Sequence, residues 1–175
     1  MKQFYLFVMI MFLSLKGIAQ NVKYGVRAGM NISSLDFSSD IPEENKHRNG
    51  FYIGFLADVS LTKTISLIPE LQFSYEGSKA DDLQFDYIQM PVLLSVKLVK
   101  KIHFNFGPQI GIKVHKVDDL AKNFGFSSIL GIEHRINQAL FADIRHTNGL
   151  RNVFDDDSGL SAKNRTLQIG VGYKF

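Results

Sequence analysis

Along most of the chain, apolar and polar positions alternate with a period of two, the pattern of strands that present one apolar and one polar face. Val22, Tyr24, Val26, Ala28 and Met30 alternate with Lys23, Gly25, Arg27, Gly29 and Asn31. The run from Phe51 to Val59 is set against Tyr52, Gly54, Leu56 and Asp58, and that from Pro69 to Tyr75 against Glu70, Gln72, Ser74 and Glu76. Ile88 to Val96 alternates with Gln89, Pro91, Leu93, Ser95 and Lys97, and Ile102 to Val114 with His103, Asn105, Gly107, Gln109, Gly111 and Lys113. Phe124 to Ile132 opposes Gly125, Ser127, Gly131 and Glu133. Leu140, Ala142 and Ile144 oppose Asp143 and Arg145, with Phe141 breaking the pattern, and Leu167 to Phe175 alternates with Gln168, Gly170, Gly172 and Lys174. Eight runs, most about 9–13 residues long, have the length of tilted strands that cross a bilayer. No amphipathic helical stretch competes, so the expected class is all-β.

The connections carry a second rhythm. Short turns are expected around Thr62-Lys63-Thr64, Lys100-Lys101 and Asn137-Gln138. Longer polar links are expected at about Ser33 to Asn49, Gly77 to Asp82, His115 to Lys122 and Asn148 to Asn164. Long and short links alternate, which in an up-and-down barrel gathers the long loops at one end and the tight turns at the other. Outer-membrane barrels have this asymmetry, with short turns and both termini on the periplasmic side.

Alternation alone does not say which face points inward. A soluble ligand-binding barrel has an apolar lumen, and a membrane barrel has the reverse. The polar face is rich in glycine, with Gly25, Gly29, Gly54, Gly107, Gly111, Gly125, Gly131, Gly170 and Gly172, which suits a narrow interior better than a solvent-exposed wall. Tyr24, Phe51, Tyr75, Phe104, Tyr173 and Phe175 stand near strand ends, where interfacial aromatic girdles belong. The expectation is an apolar exterior, and the orientation of Ile110, Ile112, Ile169 and Val171 decides the matter. The polar face also carries Arg27, Asp58, Glu70, Glu76, Lys97, Lys113, Glu133, Asp143 and Arg145. Enclosed charges must pair, because an unpaired buried charge is very costly. A salt-bridged plug is therefore expected rather than a proton or ion path or a diffusion pore.

Met1 to Ala19 read as a cleavable signal peptide: Lys2 supplies the basic start, Phe4 to Leu13 the apolar run, and Gly17-Ile18-Ala19 the small residues before the cut. That run is too short to anchor in a membrane as a helix. The expected division is 1–19 signal peptide and 20–175 barrel domain. Lys2 and Lys16 fall in the leader, which leaves 18 basic against 17 acidic residues and no concentrated basic face for nucleic acid. The absence of Cys removes disulfides, thiol catalysis, Cys-ligated zinc and lipoprotein acylation.

No residue is singled out as catalytic, cofactor-binding or metal-ligating. His47 and His115 fall in or beside long loops, the second near Asp118 and Asp119, but no nucleophile stands at a diagnostic spacing. His134 and His146 read as interfacial or cross-strand residues. Asp155-Asp156-Asp157-Ser158-Gly159 lacks the full spacing of a calcium loop and reads as a solvated acidic loop. Pro69, Pro91 and Pro108 lie inside strand patterns and imply bulges or missing ladder bonds.

Several stretches resemble the PorT-like outer-membrane β-barrel proteins of Bacteroidetes. These are Tyr24-Gly25-Val26-Arg27-Ala28-Gly29-Met30-Asn31, Tyr87-Ile88-Gln89-Met90-Pro91-Val92-Leu93-Leu94 and Phe106-Gly107-Pro108-Gln109-Ile110-Gly111. The segment from Asp143 to Asn152 and the ending Gly170-Val171-Gly172-Tyr173-Lys174-Phe175 also fit. The resemblance implies a fold and a bacterial outer-membrane location, with a tie to protein secretion through the member that names the family. Phe175 resembles the terminal aromatic read by the barrel assembly machinery. The resulting expectation is an eight-stranded antiparallel up-and-down transmembrane β-barrel, non-enzymatic and structural or secretion-associated. Its partners would be outer-membrane lipid, the assembly machinery and proteins met through the loops, with no cofactor. The alternatives are a soluble periplasmic barrel that binds an apolar small molecule, and an enzyme at the loop rim.

Overall fold

The computed structural model describes residues 22–37, 47–78, 84–114, 122–154 and 161–175. The expected leader, His115, Asp118, Asp119 and Asp155 to Asp157 lie outside the described residues. The strands are β1 (Val22–Phe37), β2 (Arg48–Ser60), β3 (Ile65–Gly77), β4 (Gln84–Val99), β5 (Ile102–Lys113), β6 (Phe124–Arg135), β7 (Leu140–Gly149) and β8 (Ala162–Lys174). Each pairs antiparallel with its sequence neighbours, and β1 pairs with β8 from Gly25 opposite Lys174 to Phe37 opposite Ala162, which closes the barrel. Closure leaves no sheet edge, the condition for a sheet to stand in lipid.

The alternation resolves in favour of an apolar exterior. Ile112, Ile169 and Val171 are 57%, 50% and 61% exposed, and Ile110 points the same way, while Arg27, Glu70, Glu133 and Arg145 are each buried in the lumen. This orientation overturns the alternative of a soluble barrel with an apolar lumen. The expected girdle aromatics all face outward. Tyr24, Phe104, Tyr173 and Phe175 stand at the turn end, and Phe51 and Tyr75 meet at the loop end with ring centroids 4.4 Å apart and planes tilted by 46°.

Tight turns at 61–64, 100–101 and 136–139 alternate with the longer connections as the sequence implies. The strands run further toward the loops than their polarity indicates. Ser33 to Phe37, Arg48 and Asn49, Asn148 and Gly149, and Ala162 to Asn164 are strand, not loop. The reason lies in the lumen, whose polar lining continues toward the loop end as far as the apolar cluster around Leu35 and Phe85. Ser33 Oγ on β1, for instance, donates to the Gly77 carbonyl on β3 at 2.9 Å, reaching past β2. Polar residues at these positions mark an interior rather than a strand end.

Two further expectations need correction. Lys97 does not join the enclosed charges. It pairs with His103 at the turn end of β4, just before the register shifts toward Val99, and there it is exposed. Phe141 does not break the alternation either, since it occupies a lumen position, almost fully buried. It is accommodated because Gly172 pairs opposite it, and a Cβ at Gly172 would overlap the Phe141 ring. The prolines interrupt ladders without shifting register. Paired positions are missing between Leu56/Glu70 and Val59/Leu67 beside Pro69, between Pro69/Val92 and Gln72/Gln89 beside Pro91, and between Pro91/Gln109 and Leu94/Phe106 beside Pro108. A missing donor, not a bulge, explains each.

Candidate functional site in the barrel lumen

Three polar layers and two apolar clusters fill the interior. The central layer is built from five strands. Arg27 on β1 donates to Gln72 Oε1 (3.0 Å), Gln168 Oε1 (3.2 Å), the Tyr52 hydroxyl (2.8 Å) and Asp143 Oδ1 (2.9 Å). Arg145 on β7 grips Glu70 on β3 with both terminal nitrogens, at 2.7 and 2.8 Å, and its Nε lies 3.1 Å from Asp143 Oδ2. Two guanidinium groups thus face two carboxylates with no net charge, in the bidentate geometry that makes such pairs strong. Arg27 also lies 4.2 Å above the Tyr52 ring. Tyr52 reaches across to β1 and β8, where a Cβ at Gly170 would overlap its hydroxyl.

At the turn end, Lys174 Nζ contacts Asp58 at 2.9 Å and Glu133 at 3.0 Å, and Arg135 contacts the same two acids at 3.0 and 2.9 Å. Again two cations meet two anions. Between this layer and the central one, Leu56, Ile68, Leu93, Ile129 and Phe141 form a buried apolar cluster.

Toward the loop end, Glu76 accepts from Ser74 Oγ (2.8 Å), Gln89 Nε2 (2.9 Å) and Asn164 Nδ2. No cation pairs with it among the described residues. A chain of amides links it to the central layer: Arg27 donates to Gln72, Gln72 Nε2 to Gln89 Oε1 at 2.7 Å, and Gln89 to Glu76. Each glutamine accepts on the cation's side and donates on the anion's side, so the two charges are connected through polarised dipoles. Above them Leu35, Phe85, Tyr87, Val153, Phe154 and Ala162 close the lumen with a second apolar cluster.

Of the enclosed charges read from the sequence, Arg27, Glu70, Asp143 and Arg145 converge. Asp58 and Glu133 form a separate group, and Glu76 stands apart. Lys113 is buried, with Nζ 5.6 Å from the Phe85 ring. Sequence reasoning missed the amide relay and the roles of Tyr52 and Lys174. A signal for Tyr52 existed: its direct partner is Gly29, which itself pairs with Gly170, so two glycines face the largest lumen side chain of β2. His134 and His146 face outward as cross-strand residues. His47 is exposed at a bridge to Ser78, and no three His, Asp or Glu side chains converge on a metal-sized site among the described residues.

A lumen filled in this way can hold a barrel rigid. Among the described residues the charged side chains of its central and turn-end layers are engaged with one another rather than lining an open channel.

Residues 18–155 match the model of a family described as outer membrane protein beta-barrel domain. The fold is similar to that of Ail, the attachment invasion locus protein of Yersinia pestis, with a TM-score of 0.58 at 13% identity over 89% of this chain and 100% of that one. Neisserial surface protein A is similar in the same way, with a TM-score of 0.55 at 13% identity and the same coverage. Among curated proteins none matches the sequence.

Proposed function

This chain belongs to the outer membrane protein beta-barrel domain family and is a protein of the bacterial outer membrane; from that premise we propose that it is a non-enzymatic barrel acting through its long loops. The single observation that carries this reading is the fully buried ion pair between Arg145 and Glu70, which crosses the lumen from β7 to β3. A barrel closed from within does its work at its ends. The strand ends that lead into the four longer connections lie together at the end opposite the tight turns, and this reading makes those connections the contact surface, outward in the usual orientation of such barrels. Met1 to Ala19 act as the signal for export, and Phe175 serves recognition by the barrel assembly machinery. A PorT-like role in protein secretion is the finer reading, supported by the order of the sequence motifs.

Two measurements test this. Reconstituted in a planar bilayer, the protein gives no single-channel steps, and a well-resolved conductance would defeat the closed-lumen reading. Replacing 38–46 and 155–160 by short turns leaves heat-modifiable gel mobility intact, while cells that carry the trimmed chain lose the phenotype of the whole one. If the trimmed chain complements a deletion strain fully in secreted-protein profile, the loops are not the working surface.

A further inference from the structure

We propose that a pocket at the turn end of the lumen binds a phosphate-class oxyanion. The pocket, about 130 Å³, opens between the β2–β3 turn and the β4–β5 turn and is lined by Lys63, Lys97, Lys100, His103 and Arg135 together with serine and threonine hydroxyls.

Charge balance gives the sign of the ligand. The acids beside the pocket are Asp58 and Glu133, and each is already held by both Lys174 and Arg135. Those four groups cancel. Lys63, Lys97 and Lys100 form no ion pair among the described residues, so the pocket carries a positive excess from two separate turns. Lys97 pairs with His103 at the last regular position of β4, before the register shifts toward Val99, and so stands exposed at this mouth.

The donors point to an oxyanion. Thr62 Oγ1 accepts from the backbone N–H of Thr64 and Ile65 at 3.2 and 3.0 Å and shares a 3.4 Å hydrogen bond with Thr64 Oγ1, so one hydroxyl hydrogen of the pair stays free to donate. His103 is 5% exposed, and its buried Nδ1 has no hydrogen-bonding partner among the described residues. Ammonium, hydroxyl and imidazole groups surround one small polar space. A phosphate group carries three strong acceptor oxygens and meets such a cluster through charge-assisted hydrogen bonds. Tyr24, Phe104, Tyr173 and Phe175 lie at the same end and mark the headgroup level of the membrane. The phosphate can therefore belong to a phospholipid headgroup or be free in solution.

The experiment uses the whole barrel folded in a non-ionic detergent. The imidazole ¹⁵N signals of His103 are assigned by their loss in H103Q. Inorganic phosphate and, separately, dihexanoyl-phosphatidylglycerol below its micelle concentration are titrated at constant ionic strength, with chloride as the control. The expected result is a saturable shift at one site, with affinity falling on the order of tenfold or more in K97A/K100A. The fold of that variant is checked by heat-modifiable mobility, since both lysines are exposed. Saturation by phosphatidylglycerol alone assigns the site to a lipid headgroup, and saturation by inorganic phosphate assigns it to the free ion. No shift with either ligand overturns the proposal. So does an equal shift with chloride, or a K97A/K100A titration like that of the parent protein.

Discussion

Arg145 on β7 and Glu70 on β3 form a bidentate ion pair between strands four positions apart around an eight-strand barrel, and so span its diameter. Neighbouring strands are already joined by ladders. This pair joins walls that share no ladder, and Asp143 and Arg27 fasten it sideways to β1. In the lumen it replaces the interdigitated apolar core of a soluble protein.

That role sets the cost of breaking it. R145A removes both bonds to Glu70 and the charge beside Asp143, leaving one carboxylate of excess in a water-poor interior. Removing one partner of a buried pair costs about 3–5 kcal/mol, whereas replacing both by apolar groups of similar size is often neutral. The expected outcome in urea unfolding of the liposome-inserted barrel is a loss of that size for R145A, with much of it recovered in E70L/R145M. A double variant as unstable as the sum of its single changes would show that the pair is not coupled.

Two lumen glycines, one against the Tyr52 hydroxyl and one in open space, make a sharper test of the packing. A Cβ at Gly170 would overlap that hydroxyl and stand 2.6 Å from the Ala28 carbonyl oxygen, whereas a Cβ at Gly125 meets nothing nearer than 3.9 Å. Overpacking a filled interior costs roughly 1–3 kcal/mol. G170A is therefore expected to lower the unfolding free energy by that amount. G125A, which also relieves the entropic penalty of glycine in a strand, is expected to be neutral or slightly stabilising. Equal losses from the two changes, measured in the same unfolding assay, would mean that glycine serves something other than lumen space.

The fold was legible because its main determinant is local. A period of two over eight runs sets strand number, and alternating link lengths set which ends gather the loops. The inward direction of Arg27 and the outward direction of Val171 follow once glycine is recognised as lumen filler. The lumen wiring was not legible, because it depends on register between strands far apart in sequence. Nothing near Gln72 announces that it lies between Arg27 and Gln89, and nothing near Phe141 announces that Gly172 is opposite. Lys97 keeps the lumen-side parity of Ser95 and pairs with His103, but it stands at the open turn end, and periodicity cannot register where along a strand the enclosure stops. The turn-end pocket was hidden likewise, since its lysines come from two turns more than thirty residues apart.

The outer wall gives the last prediction. Ile169 lies on β8 opposite Met30 and Ile144, half-exposed on a face of apolar side chains, and it sits well inside both ends of its strand. In lipid, a cationic side chain at such a depth costs about 2–4 kcal/mol near the midplane and falls to about 0–1 near the interfaces. I169R is expected to destabilise the inserted barrel by the larger amount, and Y173R, near the turn-end girdle, by the smaller. The ratio of the two is read from urea titrations in one lipid. In water the same exchange of an exposed isoleucine for arginine would be close to neutral, as surface substitutions usually are. A near-zero effect for I169R in the membrane-inserted protein would therefore contradict the lipid-facing assignment of this strand, whatever its effect on Tyr173.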